Sequence, residues 1–116
     1  MSMTMIAIII FAIAAVGGLF LASKVLTGQL APWAVSVIHA LLGATGLITL
    51  ILAVLEPGGT ENTRLVVALG LLVVAALGGF YLASIHMGGK VAPKNIVFVH
   101  AGIAVAGFLT LLSVLF

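Results

Sequence analysis

The sequence predicts an all-α integral membrane protein, a four-helix bundle made of two tandem parallel helical-hairpin repeats in a single domain over residues 1–116. Three observations carry this expectation. Of the 116 residues, 65% are apolar and 5% charged, whereas a soluble domain is about half apolar and a quarter charged. The apolar residues fall into four runs separated by short turns. The second half of the chain also repeats the first at an offset of 61 residues.

The first run, Thr4–Leu26, has no basic residue ahead of it and leads through Ala22-Ser23-Lys24 toward a second apolar segment. It therefore reads as a retained helix rather than a cleaved signal peptide. Thr27-Gly28-Gln29 supplies the turn into Pro32–Leu55, where Pro32 suits a helix start. Pro57-Gly58-Gly59 breaks the middle of the chain ahead of Leu65–Met87. Gly88-Gly89-Lys90 then closes the second hairpin before Pro93–Phe116. Each run exceeds the roughly 20 residues that cross a hydrocarbon core. The short loops make neighbouring helices antiparallel.

The repeat aligns residues 1–55 with 62–116 without a gap, and from Gly17 onward 13 of 39 aligned positions are identical. Matches of Leu, Val and Ala are cheap in such a composition. Superposition of Gly17-Gly18 on Gly78-Gly79, Ala31-Pro32 on Ala92-Pro93 and His39-Ala40 on His100-Ala101 is not. Because each half holds two spans, both halves enter the membrane with the same orientation. The pseudo-two-fold axis then lies along the membrane normal, and His39 and His100 stand at equal depth on opposite sides of it. Lys24, Lys90 and Lys94 gather on the first and third loops, with Arg64 on the second. This charge bias places the first and third loops in the cytoplasm and both termini outside.

Several classes of chemistry are excluded or disfavoured. There is no cysteine, hence no disulfide, thiolate metal site or iron–sulfur cluster. Four basic residues in all are too few for a nucleic-acid footprint. No acidic or basic side chain lies deep within a span, which argues against a carboxylate-dependent transporter and leaves no acid–base or nucleophilic set for hydrolysis. A general transporter is likewise weakly supported, since no Gly/Pro-broken helix marks a midplane site.

The histidines are the polar groups that stand out. His39 follows Pro32, and His100 follows Pro93, by seven residues, about 10 Å along a helix. On the same helical faces lie Gly43 and Gly46 in one half, Ala104 and Gly107 in the other. An imidazole beside a strip of missing side chains suits a flat macrocycle, with the metal bound axially and the ring close to the backbone. The competing reading has each histidine hydrogen-bonded to a neighbouring helix, the glycines serving close packing. Plain packing is also the expectation for the ridges Ala14-Gly18-Ala22 and Ala75-Gly79-Ala83. His86 aligns with Val25 and reads as a solvated interfacial group, with an added ligand or a quinone contact as the alternative. Trp33 fits the interfacial aromatic belt. Ser23, Ser84, Thr49 and Thr110 can satisfy themselves on carbonyls one turn earlier.

With Pro32 through His39-Ala40 to Gly46 and Pro93 through His100-Ala101 to Gly107, the layout resembles the small four-helix membrane cytochromes b. That resemblance implies a single haem b with iron held by His39 and His100, and lysines Lys24, Lys90 and Lys94 where its propionates emerge. It implies an electron carrier rather than an oxidase or stand-alone enzyme, because two axial histidines leave no open position for oxygen. Its partners would be the lipid bilayer and a quinone or redox subunit, and a unit this small is a candidate homodimer. Two other functions are compatible with the residues: a structural or accessory subunit of a larger membrane complex, and a (bacterio)chlorophyll-binding protein in which each histidine holds its own magnesium.

The topology is directly testable. Reporter fusions at the two termini should both report the non-cytoplasmic side, and opposite signals would refute four spans.

Overall fold

The computed structural model describes all 116 residues as four helices without strands: α1 (Met3–Leu26), α2 (Trp33–Leu55), α3 (Thr63–Met87) and α4 (Lys94–Ser113). Each is long and apolar enough to cross a membrane. The expected boundaries hold within two residues, apart from the last run. There the α-helix stops at Ser113 and Val114–Phe116 continue in a tighter turn, their amides bonding to the carbonyls of Leu111, Leu112 and Ser113.

The helix ends follow local chemistry. Ser2 caps α1 by accepting the Met5 amide at 3.1 Å, and Asn62 caps α3 by accepting the Leu65 amide at 3.2 Å. Pro32 and Pro93 sit in extended backbone just ahead of α2 and α4. The C-termini of α1 and α3 close alike. Gly28 and Gly89 take positive φ of 79° and 72°, their amides bond to the carbonyls of Val25 and His86, and the next amides reach back to Lys24 and Ile85. This is the Schellman arrangement, in which a glycine in left-handed backbone lets the last carbonyls find donors.

The helices pack in the cyclic order α1-α2-α3-α4, most closely within each hairpin, with α1 diagonal to α3 and α2 to α4. The bundle measures 45 × 23 × 21 Å. Its solid core occupies only one half, toward the termini and the α2–α3 loop. Ala7, Ile8 and Phe11 of α1 meet Leu50, Ala53 and Val54 of α2, Leu65, Ala68 and Leu72 of α3, and Leu111 of α4.

Gly46 and Gly107 belong to this solid half. A Cβ at Gly46 would stand 2.8 Å from the Phe11 ring, and one at Gly107 the same distance from Leu72. Both glycines therefore admit a large neighbour to the core, which corrects the expectation that they flank a macrocycle. Gly43 has open space around the same point.

Gly46→Leu should accordingly destabilise the bundle by about 1–3 kcal/mol, the usual cost of overpacking, whereas Gly43→Ala should leave stability nearly unchanged. Helix content followed through a denaturing-detergent titration would measure both.

Candidate functional site

The other half of the bundle is hollow. A cavity of about 610 Å³ runs between the helices, with Phe11, Leu47, Leu72 and Phe108 against the solid core and Lys90 toward the α3–α4 loop. Its volume falls in the range of small-molecule and cofactor sites. The residues that would otherwise fill it are small, among them Ala14, Gly18, Gly43, Ala75, Gly79 and Ala104.

His39 of α2 and His100 of α4 line this cavity from diagonal helices. Each leans on the other helix of its own hairpin. His39 Nδ1 lies 2.8 Å from the carbonyl oxygen of Ala14, and His100 Nδ1 lies 2.7 Å from that of Ala75. A carbonyl can only accept, so Nδ1 of each ring carries a proton and donates it.

A glycine makes each of these bonds accessible. In an α-helix the side chain at i+4 leans back over the carbonyl at i. Gly18 follows Ala14, and Gly79 follows Ala75, by four residues. A Cβ at Gly18 would stand 2.9 Å from His39 Cε1, and one at Gly79 would stand 3.2 Å from His100 Cε1. The ridges Ala14-Gly18-Ala22 and Ala75-Gly79-Ala83 thus form the beds on which the imidazoles lie, all six residues lining the cavity. Their assignment to plain packing is corrected on this point. The clue in the sequence was the alignment of Gly17-Gly18 with Gly78-Gly79.

The chemical consequence lies on the other nitrogen. With Nδ1 protonated, Nε2 of a neutral imidazole carries a lone pair and no hydrogen. Neither His39 nor His100 makes a hydrogen bond through Nε2. The two ring centres are 6.4 Å apart and their planes stand at 84°. Two acceptors cannot bond to one another. Each Nε2 can accept a hydrogen bond or bind a metal ion, and Nδ1–H held on a backbone carbonyl is the usual orientation of a metal-bound histidine.

The remaining expected site residues divide. Gly43, Ala104 and Lys90 line the cavity with the histidines, while Gly46, Gly107, Lys24 and Lys94 do not. Lys24 instead places Nζ 5.5 Å from the centre of the Phe20 ring. Ser23, Ser84, Thr49 and Thr110 donate to the carbonyls of Phe20, Tyr81, Thr45 and Ala106, as expected.

His86 departs from expectation. It is 9% exposed rather than solvated, because Trp33 stacks on its ring at 3.8 Å with planes 8° apart and Ser36 Oγ sits 3.2 Å from Nδ1. Both partners come from the start of α2. Sequence spacing gives no hint of this cluster, since it joins residues 50 apart across the interface between the hairpins.

Compared with known protein families, curated proteins and solved structures, the chain matches none.

Gly18→Val should push the His39 ring off the Ala14 carbonyl while leaving His100 in place. The hydrogen-bonded Nδ1–H resonance of His39 should vanish from the NMR spectrum and that of His100 persist, with the reverse for Gly79→Val.

Proposed function

We propose that the chain is an integral membrane electron carrier, built from a duplicated helical hairpin, that holds one b-type haem between His39 and His100. The observation that carries this reading is the pair of unpaired Nε2 atoms facing one cavity from diagonal helices. The two rings lie 6.4 Å apart between centres at one cavity, each with Nδ1 held on a backbone carbonyl and Nε2 unused, a donor set that fits a metal-bearing macrocycle.

The donor set favours a metal that brings its other ligands with it. No third His, Cys, Asp or Glu joins the pair, while a bare zinc ion needs about four ligands. A tetrapyrrole supplies four nitrogens and leaves two axial positions. When bound, haem supplies a one-electron couple. His39 and His100 would hold the iron. Ala14 and Ala75 would fix the ring orientations and raise the basicity of the ligands. Phe11, Leu47, Leu72 and Phe108 would exclude water from one edge.

Membrane integration is supported by what the bundle turns outward. Val16, Leu19, Leu41, Leu77 and Phe80 are all more than half exposed, a surface suited to lipid and costly in water. The 45 Å length matches a bilayer with its headgroups, about 40–45 Å. Duplication is supported by the recurrence of the His39–Ala14 bond as His100–Ala75, each spanning 25 residues.

A pyridine haemochrome assay on protein extracted in mild detergent should show haem b, and a chain without it after reconstitution would refute the reading. His39→Ala and His100→Ala should behave alike. Each should convert a low-spin six-coordinate spectrum to a high-spin, carbon monoxide-binding one or abolish haem retention, and a low-spin spectrum surviving in either would refute the ligand assignment.

A further inference from the structure

The cavity lies nearer one end of the bundle than the other. On one side the solid core, with Leu50 and Leu111 fully buried in it, separates the cavity from the α2–α3 loop. On the other side the cavity is bounded by loop residues, Leu30 and Ala31 between α1 and α2, and Lys90, Val91 and Ala92 between α3 and α4. Electron transfer weakens steeply with distance. A redox partner therefore exchanges electrons with an occupant of this cavity fastest through the end that carries the first and third loops.

That end has one sign of charge. All three lysines of the chain, Lys24, Lys90 and Lys94, lie there, whereas both acidic residues, Glu56 and Glu61, lie in the α2–α3 loop at the opposite end. No carboxylate is within reach to neutralise them. Apolar side chains stand exposed among the lysines: Leu30 at 43%, Trp33 at 47%, Val91 at 41% and Met87 at 75%. Trp33 is fixed by its stack on His86. Leu30 and Val91 match in the repeat and both line the cavity, which sets them over the bundle interior and not on its lipid-facing perimeter. An apolar centre inside a polar rim is the anatomy of a protein interface, and electron-transfer encounters form the small, weak end of that class. Membrane topology alone asks for lysines on this side. It does not ask for apolar loop residues between them and the cavity.

Resting on the haem reading above, we infer that the end formed by the α1–α2 and α3–α4 loops docks a water-soluble one-electron carrier with an acidic face. One electron leaves the partner's reduced centre, which is oxidised by one unit, and reduces ferric iron in the cavity to ferrous. No bond is made or broken and no proton moves. Opposite charge steers the encounter and raises its rate by about 10- to 1000-fold over a neutral pair.

The test uses the full chain loaded with haem b in nanodiscs of neutral phosphatidylcholine. Acetylating the folded protein removes the charge of Lys24, Lys90 and Lys94, its only lysines, after topology is fixed. Stopped-flow rates are read with two soluble carriers: a reduced, acidic two-iron ferredoxin as donor to the ferric chain, and a basic cytochrome c as acceptor from the ferrous chain. Before acetylation the ferredoxin reaction should slow about tenfold or more from low to high salt. After acetylation it should slow about tenfold at low salt and lose most of its salt dependence, while the cytochrome c reaction quickens. A purely structural effect would move both carriers the same way. A ferredoxin rate unchanged by acetylation, or a slowing of both reactions together, would overturn the docking surface. So would a slowing confined to discs that contain phosphatidylglycerol, which would assign the lysines to lipid headgroups. If acetylation releases the haem, Met87→Glu takes its place, setting a negative charge on the patch with the same expected shifts and the same overturning results. Haem retained with a salt-insensitive ferredoxin rate defeats this inference alone. A chain that binds no haem b defeats the haem reading, and this inference with it.

Discussion

Two hydrogen bonds from imidazole to backbone carbonyl organise the hollow half of the bundle. Each carbonyl, at Ala14 and at Ala75, has two lone pairs, one facing along its helix and the other turned to a histidine of the neighbouring helix. A side chain four residues on would cover it, so Gly18 and Gly79 are required. Each bond settles where the proton of the neutral ring sits, and leaves Nε2 as its base. In an apolar interior this chain of consequence is strict, because a polar group that is not satisfied locally is costly.

The division of the bundle into a solid and a hollow half follows from where bulk is placed. Toward the termini, Phe11 and Leu72 are drawn against glycines at 46 and 107 and the core closes. Toward the first and third loops, alanines and glycines replace bulky residues on all four helices and the cavity remains open. The matched pairs across the halves trade volumes: Phe11 aligns with Leu72 and Leu47 with Phe108. One aromatic from each half therefore meets one leucine from each at the boundary, a swap that keeps total volume while breaking strict symmetry. Volume-conserving exchanges of this kind are the ones cores tolerate.

The repeat supplies two matching histidine positions, and departures from it supply direction. His39 aligns with His100, yet Trp33, Ser36 and His86 align with Lys94, Val97 and Val25 in the other half. Polarity is thereby concentrated at the α2–α3 interface near the loops. The cavity thus has matching histidines on diagonal helices and unequal surroundings at its two ends.

The four helices and all but the last of their ends were legible in the sequence, because apolar run length and Gly/Pro punctuation are local signals. So was the self-satisfaction of Ser23, Ser84, Thr49 and Thr110, which depends only on the helix each occupies. The roles of the glycines were not. Gly43 and Gly46 lie on one face at helical spacing, and only the approach of Phe11 from α1 separates the open position from the packed one. Gly18 and Gly79 read as packing ridges until the tertiary fold laid imidazoles over them. His86 looked solvated because sequence places it beside a loop, and its burial depends on Trp33 and Ser36 arriving from 50 or more residues away. Periodicity along one helix decides which residues share a face. Which of them meet a ring, a core or a cavity is decided by the partner helix, whose rotation and register no single helix encodes.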